Sequence, residues 1–178
     1  PNVKFNLGVF AKFYQTILSS DIVILSPGID LRTDLVTKIK NQCIPILSDI
    51  EIFQQNATKP IIAITGTNGK STVTKLCSDM LKEHGLKVAL GGNYGIPALS
   101  LLDDDVDVYI IELSSFQLDL LNNTKFHAGV VLNISPDHLD RYDDFEEYKN
   151  SKLRLYEMVK HKIVDSDKDF AQVVSTKT

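Results

Sequence analysis

Tryptophan is absent from this chain, and cysteine and methionine each occur only twice. Cys43 and Cys77 stand far apart in patterned segments. That excludes a disulfide-stapled secreted scaffold and predicts reduced thiols, packed as small core residues, in a cytosolic protein. Basic charge is not in excess either: 19 Lys and Arg against 23 Asp and Glu give a net charge of −4, with the two signs interspersed. No basic stripe for a nucleic acid follows from such a pattern. Long apolar runs are missing, none approaching the roughly 18–20 residues of a membrane span. Neither a signal peptide nor an initiating methionine is read at the start, where Pro1-Asn2-Val3 opens within a pattern, so the expectation is a piece of a longer chain. What is present is 43% hydrophobic content over 178 residues. That suffices for the core of one domain, or one and a fraction.

Strand-like and helical segments alternate. Residues 21–26 read as a short strand ended by Pro27-Gly28, 31–40 as a helix and 43–47 as a second strand. Ser48, with Glu51 three residues on, predicts a capping box for a short helix. Residues 56–59 read as a linker. A second unit starts at Pro60, with a strand over 61–64, a helix over 70–84 stopped by Gly85, and a strand over 87–90. It continues with a short helix near 97–102, strands over 107–112 and 128–132, a polar loop over 133–143, a long helix over 144–160 and a strand from Lys162. Such alternation predicts an α/β fold with a mainly parallel sheet and right-handed crossovers.

Between the strand at 61–64 and the next helix stands Thr65-Gly66-Thr67-Asn68-Gly69-Lys70-Ser71-Thr72. Gly66 and Gly69 allow a tight turn whose N–H groups point inward, and the helix starting at Lys70 adds the positive end of its dipole. Lys70 can reach outer phosphates, and the Ser71 hydroxyl can ligate Mg²⁺. Ile64 occupies the place where the general pattern has its first glycine, so a generic P-loop ATPase is not the best fit. The loop still predicts a nucleoside triphosphate ligand.

Ligands of parallel sheets bind beyond the carboxyl ends of the strands. Five post-strand segments put polar groups there: Gly28 with Ser26 and Pro27; Thr65 to Ser71; Asn93; Glu112, Ser114, Ser115 and Gln117; and Asn133, Asp137, His138 and Asp140. Glu112 ends an apolar strand, where an unpaired carboxylate is costly; a metal shared with Ser71, or a structural salt bridge, would resolve that cost. His138 reads either as a surface residue or as a ligand or metal contact. Asp103-Asp104-Asp105 falls at the opposite end of the sheet and reads as a solvated turn. Asp143, Asp144, Glu146 and Glu147 favour the start of a helix through its dipole. Lys149, Lys152 and Arg154, by their helical setting, read as solvated.

The P-loop, Gly91-Gly92-Asn93-Tyr94-Gly95, Glu112-Leu113-Ser114-Ser115-Phe116-Gln117-Leu118 and Asp137-His138-Leu139-Asp140-Arg141-Tyr142 together resemble the Mur ligases. Ser26-Pro27-Gly28-Ile29 and Asp49-Ile50-Glu51-Ile52-Phe53 fit the members that add D-glutamate. The resemblance runs from about Asp21 to Val164. Tyr94 departs from it, standing where these enzymes commonly carry an aliphatic residue. The resemblance implies a partial Rossmann-like, UDP-substrate-binding N-terminal domain over 1–57. The first part of a P-loop central ATPase domain follows over 58–178, and a C-terminal amino-acid-binding domain lies outside the chain. The implied reaction is ATP-dependent amide formation between UDP-N-acetylmuramoyl-L-alanine and D-glutamate through an acyl phosphate, a step of peptidoglycan synthesis in the cytoplasm.

By the same resemblance, ATP meets Gly66, Thr67, Asn68, Gly69, Lys70, Ser71 and Thr72. Ser71 and Glu112 hold one Mg²⁺, and His138 helps to hold a second. Asn93, Gln117 and His138 touch the UDP-sugar, and Gly28 lies on the loop near its uracil. Lys152 matches the lysine that these enzymes carbamylate, which makes it an anionic ligand for the second Mg²⁺ and reverses its reading as a surface residue. Lys70, His138 and Lys152 are then the catalytic set, in an enzyme expected to act as a monomer. Other classes stay open: another Mur ligase or a folylpolyglutamate synthase-like ligase, a P-loop kinase, and a non-catalytic nucleotide-binding module.

Overall fold

A computed structural model describes residues 13–103 and 105–165. Asp104 of the acidic turn and the polar tail beyond Asp165 lie outside the described residues. The elements run α1 (Tyr14–Leu18), β1 (Val23–Ile24), α2 (Asp34–Asn41), β2 (Ile46–Leu47), α3 (Asp49–Asn56), β3 (Ile61–Thr65), α4 (Lys70–Glu83) and β4 (Val88–Gly92). A 3-10 turn at Ala98–Leu101 precedes β5 (Val108–Glu112), α5 (Ser115–Leu120), β6 (Phe126–Val131) and α6 (Phe145–Leu153). A second 3-10 turn, Arg154–Glu157, leads to β7 (Val159–Ile163).

The sheet prediction holds: β4-β5-β3-β6-β7 form a five-stranded sheet in which every pair is parallel, and β1 and β2 form a separate parallel pair. β5 is buried at all five positions, as a strand covered on both faces must be. Ile61, Ala63, Tyr109 and Ile111 enter one core cluster with Ile50 and Phe53 of α3, Leu118 of α5 and Leu155. The first, smaller unit is tied to the second through apolar contact and polar bonds, among them one from Asn123 and those of Arg32 and Arg141. Leu25, Val36 and Leu120 of α5 form a cluster of their own, and the Glu51 carboxylate accepts from Asn123 N at 3.3 Å.

Several boundaries differ from the sequence expectation. The helix expected over 144–160 stops at Leu153, and residues from Val159 onward pair with β6 instead. Ser48 caps α3 through Glu51 N, but Glu51 does not reciprocate, because its carboxylate reaches Asn123. Cys43 is exposed at φ +55 and so is not a core residue, whereas Cys77 is half-buried and its thiol is pushed up by burial. α5 was not expected, and Ser114 and Gln117 close a full capping box at its start.

β3 lies at the centre with the P-loop on its carboxyl end, and its register sets Ile64 beside Glu112, which in turn lies beside Gly92. Gly92 sits at φ +110, and a Cβ there would lie 2.4 Å from the Glu112 carbonyl oxygen. Gly92→Ala combines backbone strain with a backbone clash, so we expect a loss of about 1–3 kcal/mol in urea denaturation. Wild-type stability in that variant would show that β4 and β5 do not approach so closely.

Candidate active site

Gly69, at φ +78, turns the chain into α4, whose first N–H groups have no side-chain cap. They face outward from the sheet end, and Asn68, Gly69, Ser71 and Thr72 are exposed there. A helix start of this kind favours anions. Lys70 Nζ is folded back onto Thr67 O at 2.9 Å.

The loop is held from behind by the segment that follows β6. Asn133 Oδ1 accepts from Asn68 N, and Asn133 Nδ2 donates to Asn68 O, both at 2.9 Å. Asn133 O accepts from Thr67 N at 2.9 Å. The Thr67 hydroxyl donates to Ser135 O at 3.2 Å and accepts from Ser135 N at 3.1 Å. Tyr148 OH lies 3.0 Å from the same hydroxyl. Thr67 has one hydroxyl hydrogen and it goes to Ser135, so Tyr148 is the donor.

Glu112 is 2% exposed. Its two carboxylate oxygens accept from Ser71 Oγ at 2.7 Å and from Asn93 Nδ2 at 3.0 Å. Both donors are neutral, and no Lys or Arg pairs with this carboxylate among the described residues. The salt bridge entertained for Glu112 is therefore not formed. A carboxylate and a hydroxyl side by side at a phosphate loop fit Mg²⁺, which keeps several waters and takes one or two carboxylates plus phosphate oxygens. Among the described residues no group of three or more His, Cys, Asp or Glu forms an all-protein metal cage. A metal here would have to share its ligands with a substrate.

Lys152, expected on a solvated helix face by its setting alone, is 2% exposed. Its Nζ donates to Gly66 O at 2.9 Å and lies 4.8 Å from the Tyr148 ring centroid. Burial, reinforced by the charge of Lys70, pushes its amine down to about 8, while Asp137 and Asp119 pull weakly the other way. His138 takes φ +53, an uncommon backbone for a non-glycine residue, with its N–H on Asp137 Oδ1 at 2.9 Å. Its imidazole lies 5.0 Å from the Phe116 ring.

A cavity of about 260 Å³ gathers Lys70, Asn93, Asp137, His138, Tyr148 and Lys152, with Thr67 and Phe116 in its wall. Five expected site residues, Thr67, Lys70, Asn93, His138 and Lys152, thus share one space, and Ser71 and Glu112 join it through Asn93. Gln117 is not in that wall; its carboxamide oxygen accepts from Ser114 N at 2.9 Å as a helix cap. Gly28 lies elsewhere, its carbonyl bonded by Arg141 Nη1 at 3.3 Å beside a second cavity of about 560 Å³. Asp105 of the acidic turn pairs with Lys87, consistent with a solvated turn. Tyr148 was not singled out by sequence, although its place four residues before Lys152 puts both on one face of α6.

Residues 64–178 match the family model of the Mur ligase middle domain. The chain is 46% identical over 153 residues to a UDP-N-acetylmuramoylalanine--D-glutamate ligase of Haemophilus influenzae, covering 86% of this chain and 35% of that protein. It is 46% identical over 167 residues to the protein of the same name from Buchnera aphidicola, covering 93% and 38%. The chain therefore spans about a third of the length of the curated relatives it matches. Among solved structures, MurF from Acinetobacter baumannii superposes with a TM-score of 0.58 at 16% identity, over 92% of this chain and 44% of that one. MurF of Thermotoga maritima, solved in complex with ADP, gives 0.55 at 18%, over 93% and 42%. The fold is common to them all, and with its middle-domain match extending over most of its length this chain belongs to the Mur ligase family.

Proposed function

We propose that the chain carries the phosphate-binding and carboxylate-activating part of an ATP-dependent ligase that joins D-glutamate to UDP-N-acetylmuramoyl-L-alanine. The observation that supports this most is the convergence of Lys70, Asn93, His138 and the buried Lys152 on one cavity beside the Ser71–Glu112 pair. The names of relatives at 45–49% identity point to D-glutamate as the amino acid. We assign residues 1–57 to the later part of a UDP-substrate-binding domain and 58–178 to the first part of the central ATP-binding domain.

The chemistry asks for little beyond alignment and charge neutralisation of two anions that repel each other. ATP phosphorylates the substrate carboxylate, the D-glutamate amine displaces phosphate from the acyl phosphate, and amide, ADP and phosphate leave. Backbone N–H groups from Gly69 onward cradle the β-phosphate, and the Lys70 ammonium exchanges Thr67 O for a γ-phosphate oxygen. Mg²⁺ held by Ser71 and Glu112 would supply Lewis-acid polarisation and charge neutralisation at the phosphates. Asn93 and His138 orient the sugar–alanine end of the substrate. Gln117, having committed its oxygen to the helix cap, offers only its amide N–H₂ to the same ligand.

Lys152 enters as a carbamate in this reading. A neutral amine is needed to add CO₂, and burial supplies it: a lysine brought to about 8 is partly unprotonated at neutral pH. Tyr148 beneath the amine and Gly66 O beside it fix where the new anion would sit, next to His138. Lys152 and His138 as they stand are an ammonium and an imidazole, so a second Mg²⁺ fits this pair only after that modification.

Three outcomes are expected. In the full-length protein with Mg²⁺, ATP and UDP-N-acetylmuramoyl-L-alanine, ADP release should require D-glutamate and not respond to L-alanine or a diamino acid. Release indifferent to any amino acid would point to a kinase or an ATPase instead. Lys70→Ala should lower that turnover by roughly 100-fold or more, and undiminished turnover would remove the P-loop from the mechanism. The third outcome concerns pH. Because the folded state holds Lys152 at about 8 against an ordinary 10.5, the burial penalty is full below pH 8 and lifts between pH 8 and 10.5. In CO₂-depleted buffer, wild-type stability should therefore rise relative to Lys152→Met across that interval, as read by urea denaturation. A constant difference between the two proteins would mean that the amine is not buried.

A further inference from the structure

Two arginines join the loop after β1 to the loop after β6, and neither touches the cavity that holds Lys70 and Lys152. Arg32 grips Asp30 through Nε at 3.2 Å and Nη2 at 3.1 Å. It then crosses to the other loop, with Nη1 on Asp143 Oδ1 and Nη2 on Arg141 O, both at 2.8 Å. Arg141 reaches back in the opposite direction. Its Nη1 donates to Gly28 O at 3.3 Å, and its Nε lies 4.0 Å from Asp30 Oδ2. The Arg141 guanidinium also lies over the Phe116 ring, 4.5 Å from the centroid, and Phe116 in turn contacts His138. Arg141 N bonds His138 O at 2.9 Å, closing the turn that holds the imidazole.

Phe116 lines both cavities, so the ring under Arg141 is part of the wall between them. One residue thus joins three things: its side chain holds the Gly28 carbonyl and the Phe116 ring, and its backbone N–H closes the turn bearing His138.

We propose that Arg141 is a positioning residue that sets the spacing between the Gly28 loop and the His138 loop, so that a substrate touching both presents its carboxylate at Lys70 and Lys152. This rests on the reading above, in which one UDP-sugar spans the two loops. A guanidinium is required for it, because the planar fork bonds sideways to Gly28 O, with Asp30 4.0 Å away, while its face lies on Phe116; an ammonium is a point charge and does only one of these. The Arg141–Asp30 pair is long, at 4.0 Å, and partly exposed, with the side chains at 25% and 35%, and such pairs contribute little to stability. Their loss should therefore appear in substrate alignment and not in folding. Small misplacement of a reacting group costs up to about a hundredfold in rate.

The test uses the full-length enzyme in the D-glutamate-dependent ADP-release assay, with wild type, Arg141→Ala, Arg141→Lys, Asp30→Ala and the Asp30→Ala/Arg141→Ala pair. Arg141→Ala is expected to lower kcat/KM for UDP-N-acetylmuramoyl-L-alanine by roughly tenfold or more. The KM for ATP and the urea midpoint should stay at their wild-type values. Arg141→Lys should not restore the loss, and the double variant should be no worse than Arg141→Ala, since both residues act through one junction. A parallel rise in the KM for ATP, full rescue by lysine, losses that multiply in the double variant, or wild-type kinetics in Arg141→Ala would each overturn the assignment. Wild-type enzyme that fails to turn over this substrate would sink the functional reading itself, a result separable from the behaviour of the variants.

Discussion

A buried carboxylate with only neutral donors is the constraint around which this site is built. Glu112 closes the most completely buried strand of the sheet, and both of its oxygens are occupied by Ser71 and Asn93. Removing such a charge from water costs several kcal/mol unless an opposite charge compensates it. Among the described residues the fold supplies no cation from its own side chains at this point. It supplies instead a rigid surround: the P-loop on one flank through Ser71, the segment after β4 on the other through Asn93, and a glycine at 92 because nothing larger fits against the Glu112 backbone. The carboxylate and the Ser71 hydroxyl are thereby held side by side at the end of the P-loop.

Across the cavity the imbalance has the opposite sign. Lys70 and Lys152 are near enough for the first to depress the second, and no carboxylate pairs with either within 4 Å among the described residues. Two amines, one exposed enough to move and one locked against Tyr148, make a receptor for anions. A site with an unneutralised carboxylate on one side and unneutralised amines on the other suits a ligand carrying both phosphates and a metal. It suits a simple anion less well, because Glu112 would repel it.

How much of this was legible in the sequence depends on whether the signal was local. The phosphate loop was readable because Gly69 must adopt a left-handed turn that few residues share, and the apolar strands because their burial leaves a continuous run. The end of α6 was not. Residues 154–160 suit a helix, but pairing of Val159–Ile163 with β6 outweighs local preference. Two Ser-x-x-Glu/Gln signatures occur at 48–51 and 114–117, and only the second closes in both directions, since Glu51 has a distant partner that its neighbours do not announce. α5 is six residues long, too short to show a helical period. Lys152 was illegible by pattern because the buried positions of α6 are Tyr148, Ser151 and Lys152 itself, so no apolar stripe marks its inner face. Only resemblance to a family pointed to it, and its burial is what gives that pointer a physical cause.

The segment from Asn133 to Asp143 explains how these parts are held in register. At its start it is bonded to the P-loop by Asn133 and Ser135, and at its end to the β1 loop by Arg141 and Asp143. Between the two anchors stands His138 at φ +53, with no hydrogen bond to its ring among the described residues: a carboxylate lies 3.7 Å away, and the Phe116 and Tyr148 rings lie at 5.0 and 6.3 Å. The imbalance is informative. A histidine fixed by its own hydrogen bonds would hold its place regardless of the neighbouring loops, whereas this one is held by what happens at either end. Strain stored at a single residue persists only when its surroundings over-determine it. Here the over-determination comes from the nucleotide loop on one side and the Gly28 loop on the other. A change at either anchor is therefore expected to reach the imidazole through the backbone that joins them.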